Sequence, residues 1–175
     1  MRQNLKHLVI VMLTLWTISL PQLSYSKTNS MTFNAVSFIK ENNIHSIEDY
    51  AQWLKDNMIY LLDVGKDSWA SPLETIQKGG GDCEDLAFLS AEVLKALGFK
   101  PLVLAHGNFK DGHVYCVFKY LGIYYTFENT NFASTEQPSL KDMAIYLAKN
   151  HHSKYLAELF LDTKEVHFIY LTNTI

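Results

Sequence analysis

Cysteine is scarce in this chain: Cys83 and Cys116 are the only two among 175 residues. A dense disulfide framework is excluded, and at most one bridge can form. Basic blocks are absent as well. The formal net charge is −3, and nucleic-acid binding needs clustered cations to meet phosphate. No His-Glu-x-x-His run occurs, and His151-His152 and His167 lack the spacing of a zinc site. Internal repeats and low-complexity segments are missing too. The one long apolar run, Leu8 to Leu20, falls short of the about 20 residues that a membrane-spanning helix requires.

That run begins after the positive residues Arg2 and Lys6. Pro21 breaks it, and Ser24-Tyr25-Ser26 places small residues where a signal peptidase reads. The layout predicts a signal peptide over 1–26, cleaved after Ser26, and a mature domain over 27–175. The expected location is periplasmic or secreted, with no membrane anchor after cleavage. No Cys follows the apolar run, so a lipid anchor on Cys is not available.

With 48% hydrophobic residues the chain can bury a core. Helical spacing of Val36, Phe38 and Ile39 predicts a short helix within Phe33–Glu41. Ser46, with Asp49 three residues on, opens a longer one carrying Ile47, Tyr50 and Leu54 on one stripe. Gly65 to Thr75 reads as a loop. After Gly79-Gly80-Gly81, a core helix starts at Cys83 and closes at Gly98. Strands are predicted over Pro101–Ala105, His113–Phe118 and Ile123–Phe127, the last two as a hairpin. A late helix runs from Ser139 to about Leu161, and Val166–Leu171 ends the chain as a strand. Helices first and an antiparallel sheet afterwards is an α+β order.

Cys83 sits where a thiol can become a nucleophile. Only the thiolate attacks, and the unpaired N–H groups of a first helical turn favour the anion. The preceding glycines allow close backbone approach to a substrate. Asp82, Glu84 and Asp85 oppose ionisation, because negative neighbours raise a thiol pKa. A histidine partner is needed, and His113 opens a strand. If the hairpin turn centres on Tyr120–Gly122, His113 lies opposite Glu128, or one step away at Asn129. Either could hold the imidazole and fix its tautomer. The Cys83 backbone N–H is the first candidate oxyanion donor.

The stretch Trp69-Ala70-Ser71-Pro72-Leu73-Glu74-Thr75 and the box Gly80-Gly81-Asp82-Cys83-Glu84-Asp85, with His113 and Glu128-Asn129 later, resemble the bacterial transglutaminase-like cysteine proteinases. The resemblance implies a transglutaminase-like (papain-like) core, with the Cys helix packed on an antiparallel sheet. It implies a catalytic set of Cys83, His113 and Glu128, with Asn129 as alternative orienting residue. Acyl transfer would run through a thioester on a protein or peptide substrate, such as a surface or periplasmic protein, and the chemistry itself requires no cofactor. It further implies calcium held by Asp82 and Glu84, since hard oxygen ligands suit that ion. One departure stands out: the family's orienting position usually holds Asp, and here it holds the longer Glu128.

Two other readings compete. A Cys83–Cys116 bridge would make a stapled binding module. Cys116 lies three residues beyond His113 on one strand, so the two point to opposite faces. A strand that turns His113 toward Cys83 would turn Cys116 away. The other alternative is a catalytically inactive member that serves as a binding module.

Overall fold

The computed structural model describes residues 32–65, 68–108 and 110–171. The expected signal peptide over 1–26 lies outside the described residues. Helix α1 (Ala35–Glu41) starts at Asn34, whose side chain accepts the Ser37 N–H at 3.0 Å. Helix α2 (Ile47–Asn57) starts at Ser46, whose hydroxyl accepts the Asp49 N–H at 3.0 Å. Such caps satisfy donors that the helix itself cannot.

The segment read as a loop over Gly65–Thr75 ends in a helix instead, α3 (Pro72–Lys78). Ser71 caps it, and Glu74 reaches back to the Ser71 N–H at 2.7 Å, completing a capping box with Pro72 at the first position. Proline there has its φ pre-set and lacks only an N–H that would be unpaired anyway. Helix α4 (Cys83–Ala96) ends at Gly98, with φ of +90°, where the Gly98 and Phe99 N–H groups turn back to the Lys95 and Leu94 carbonyls.

Six strands form one antiparallel sheet: β3 (Leu102–Gly107), β4 (Gly112–Tyr120), β5 (Ile123–Glu128), β6 (Asn131–Ser134), β7 (Tyr155–Phe160) and β8 (Glu165–Leu171). Their spatial order is β6-β5-β4-β3-β7-β8. The late helix α5 (Leu140–His151) stops earlier than the sequence pattern predicts. His152 terminates it with φ of +54°, and Tyr155–Phe160 pairs with β3 and β8 instead of continuing the helix. Tertiary pairing overrides the helix-compatible composition of that stretch.

Strand alternation sorts β3 and β4 onto two cores. Val103, Ala105, Val114, Cys116 and Phe118 pack with α1, α2 and α4 residues such as Phe38, Leu54 and Leu89. Leu104, Tyr115 and Val117 face the other way, against Met143, Ala144 and Leu147 of α5. In the first core the fully buried Tyr50 hydroxyl meets Ser90 Oγ at 3.0 Å, so neither polar group is stranded.

A separate pair of two-residue parallel strands, β1 (Ile59–Tyr60) and β2 (Gly80–Gly81), leads into α4. A Cβ on Gly80 would lie 2.2 Å from the Ile59 carbonyl oxygen, and one on Gly81 would lie 2.7 Å from Asp85 Oδ2. The glycines therefore admit the protein's own β1 and its Asp85 side chain, rather than a substrate as the sequence suggested. Gly80→Ala is expected to destabilise the fold by about 1–3 kcal/mol in chemical denaturation, because the obstructing atom is backbone. Unchanged stability would contradict this packing.

Candidate active site

The entrance to α4 explains each letter of the cysteine box. Gly81 leaves space for Asp85, which is 1% exposed and accepts the Ala70 N–H at 2.7 Å. That bond ties the Trp69–Ala70 segment to the helix start. Burial raises the Asp85 carboxyl pKa, and the Ala70 N–H opposes the rise. Asp82 precedes the first turn in extended conformation, without a side-chain cap bond. Trp69 packs its ring on Phe88, and the Lys164 ammonium lies 5.2 Å from the ring centroid while donating to the Trp69 carbonyl. Trp69 is thus part of the scaffold beneath the site.

Cys83 is half-buried in the first turn of α4, and its thiol donates to Glu84 Oε2 at 3.1 Å. Burial, then the Glu84 carboxylate, push the thiol up to about 12. The nearby Val114 N–H pulls in the opposite direction. A strand's N–H groups lie in the plane of its sheet. The sulfur therefore lies near β4 at Val114, with Cys83 packed on the α4-side core. The β4–β5 ladder ends nearby, at the Cys116–Phe127 pair.

His113 turns its ring to the α5 side, where it neighbours His106 and Tyr115. Its Nε2 lies 3.0 Å from Glu128 Oε1, close but out of line for a straight N–H···O bond. The register differs from the sequence expectation. Continuing the pairing of Cys116 with Phe127 sets Glu128 across from Tyr115, so His113 reaches Glu128 diagonally. The His113 contact lowers the Glu128 carboxyl pKa, and the charges of His106 and His151 add to the effect. Asn129 occupies the first position of the two-residue turn between β5 and β6, with φ of +52°, a conformation in which Asn is tolerated.

The structure thus joins His113 to Glu128 and sets Cys83 against the residue after His113. Among the described residues, no hydrogen bond or ion pair links the Cys83 and His113 side chains. The separation of the two cysteines follows a different logic from the one expected. Cys116 faces the α4 side, fully buried, while His113 faces α5. Both thiols are free, so the bridged alternative has no support.

Sequence reasoning missed several neighbours. His106, whose Nδ1 lies 2.7 Å from Ser153 Oγ, and His151 line a cavity of about 480 Å³ with His113, Glu128 and Tyr146. Burial, then the charges of His113 and His151, lower His106 to about 4, so it is neutral near pH 7. On the other side of the sheet end, the Tyr155 hydroxyl lies over Gly107 and Gly112, 3.0 and 2.8 Å from where their Cβ atoms would be. The Gly107–Gly112 pairing that makes this room is long-range and invisible to local pattern.

Calcium takes six to eight oxygen ligands. Asp82 and Glu84 supply two carboxylates, and one Glu84 oxygen is on the thiol. Among the described residues no group of three or more His, Cys, Asp or Glu side chains is placed to hold a metal ion. These residues do not by themselves fit a calcium site.

A cysteine at a helix start, set against an antiparallel sheet that carries a histidine–carboxylate pair, defines an α+β domain of the papain-like kind. The family described as a transglutaminase-like domain matches residues 20–137, more than half of the sequence, and the chain belongs to it. Calcium-bound LapG of Legionella pneumophila shares the fold at 16% identity, over 81% of this chain and 78% of that one, with a TM-score of 0.50. EGTA-treated LapG gives 21% identity over 58% of this chain and a TM-score of 0.44; the match spans 62% of that chain. A candidate cysteine protease from Cytophaga hutchinsonii gives 16% identity, 80% and 52% coverage, and a TM-score of 0.46. No curated protein matches the sequence.

A thiol with a raised pKa is protonated at neutral pH and ionises only as pH climbs. Alkylation of Cys83 by iodoacetamide is therefore expected to accelerate about tenfold per pH unit between about pH 7 and 9, with no plateau. Fully buried Cys116 stays unlabelled. Glu84→Gln removes the negative neighbour and lowers the thiol pKa, so labelling at pH 8 should speed by roughly tenfold. A plateau below pH 7 in the unsubstituted protein would show a preformed thiolate and contradict this.

Proposed function

We propose that the chain is an exported cysteine peptidase or amidase that cleaves an amide through a thioester, with Cys83, His113 and Glu128 as its triad. The observation carrying this reading is a half-buried thiol in the first turn of α4, near the residue that follows an imidazole set 3.0 Å from Glu128. Adjacent residues are about 3.8 Å apart along the chain. Proton transfer requires the His113 ring and the Cys83 thiol, which share no hydrogen bond at rest, to be brought together.

Glu128 holds Nε2 and leaves Nδ1 as the base nitrogen. Nδ1 takes the thiol proton as Sγ adds to the substrate carbonyl and the π pair moves to oxygen. The Cys83 N–H, free of a helical partner in the first turn, donates to that oxyanion. The imidazolium then protonates the leaving amine as the C–N bond breaks, giving the thioester. Water, deprotonated by the same nitrogen, releases the acid; an amine in its place would give transfer. No step runs through calcium.

A protein or peptide is the substrate that fits a member of this family. Export to the periplasm or outside is supported by Arg2, Lys6, the Leu8–Leu20 run and the small residues before Lys27. No helix among the described residues is long and apolar enough to cross a membrane.

Acylation by p-nitrophenyl acetate tests the chemistry without knowledge of the substrate. The acetyl group should appear on Cys83 by intact mass and vanish in Cys83→Ala. His113→Ala should slow acylation by about 10²–10⁴-fold, the range for loss of a general base. Equal rates with and without His113 would refute the triad.

A further inference from the structure

The strand that packs on Gly80 and Gly81 is apolar and open on its other side. Ile59, Tyr60, Leu61 and Leu62 are 62%, 48%, 38% and 74% exposed, and Val64 is fully so. Contiguous apolar surface of this kind marks a place where something binds. The strand's inner side is occupied: the Ile59 N–H donates to the Gly79 carbonyl at 3.1 Å, and the Leu61 N–H to the Gly81 carbonyl at 2.9 Å. Successive peptide groups of a strand point to opposite sides. The N–H and C=O of Tyr60 therefore point away from β2. Since β1 ends its two-stranded sheet, that side is an edge able to accept another strand.

This edge leads directly to the thiol. Tyr60 is in register with Gly81, two residues before Cys83. The Tyr60 phenol pKa is raised by partial burial, then by the charges of Cys83, Asp82 and Glu84, so the ring lies within electrostatic reach of the sulfur. The hydrogen-bonding edge thus lies beside the strand that leads into the nucleophile.

We infer that the outer edge of β1 is the substrate-strand site: an extended polypeptide with apolar side chains pairs with the backbone of Tyr60 and presents its carbonyl to Cys83. The inference rests on the peptidase reading and names the substrate class for it. Main-chain pairing supplies affinity that is indifferent to sequence, and the contacts with Leu61, Leu62 and Val64 supply preference. Asp82 and Glu84 at the same end disfavour acidic side chains through like-charge repulsion. A folded substrate region cannot add to this edge, so cleavage falls in extended or unfolded segments.

The test is kcat/KM for a set of tetrapeptide aminocoumarin amides in calcium-containing buffer, varying the second and third residues before the cleaved bond through Leu, Val, Lys and Asp. Leu and Val should exceed Asp by about tenfold or more. Leu62→Asp and Val64→Asp, both at exposed positions that tolerate charge, should move the preference toward Lys. Flat preferences, or a profile identical in both variants, overturn the inference. Self-association abolished by Leu62→Asp with peptide preferences unchanged would assign the edge to a second copy and also overturn it. Cleavage surviving Cys83→Ala, or no cleavage of any peptide, overturns the peptidase reading itself and takes this inference with it.

Discussion

The contact between His113 Nε2 and Glu128 Oε1 is the constraint on which the site depends. A carboxylate beside one ring nitrogen decides which nitrogen carries the proton and which is left as a base. Two strands must agree for it to exist. The hairpin turn sets the β4–β5 register, and the short turn at Asn129 stops β5 just as Glu128 reaches the ring. That same stop ends the ladder before Val114, which lies near the Cys83 sulfur. One turn thus serves both halves of the site.

Against this arrangement stands the thiol's own environment. Burial and Glu84 hold the proton on sulfur, while the Val114 N–H favours the anion. The balance describes a thiol that holds its proton at neutral pH. In the proposed reaction this favours a general-base mechanism over a standing thiolate–imidazolium pair. Such a resting state limits adventitious oxidation of an accessible thiol, since reactivity follows thiolate content. The surrounding scaffold is closely tied: Asp85 holds the segment before α3, and Gly80 and Gly81 let β1 and Asp85 pack against the helix start.

Much of this was legible in the sequence because the signals are local. Ser46 and Ser139 each cap a helix whose start they predicted, and Gly98 closes α4 as expected. The β4–β5 hairpin follows from alternation, and from it came the nearness of His113 to Glu128, although the contact is diagonal rather than direct. What escaped depends on partners distant in sequence. Tyr155–Phe160 is a strand only because β3 and β8 flank it. The glycine triplet read as space for a substrate, since nothing local reveals that Ile59, about 20 residues earlier, fills the space at Gly80. Helix α3 was a different kind of miss: its Ser-Pro-x-Glu start is a local signal that was available and not used.

The orientation of the His113 imidazole is open to direct measurement by ¹⁵N NMR of histidine-labelled protein near neutral pH, with His113→Gln to assign the signal. If Glu128 sets the tautomer, the neutral form of the ring carries its proton on Nε2, facing Glu128, with Nδ1 bare. A ring protonated at Nδ1 alone would put the proton where the base must be and contradict the account.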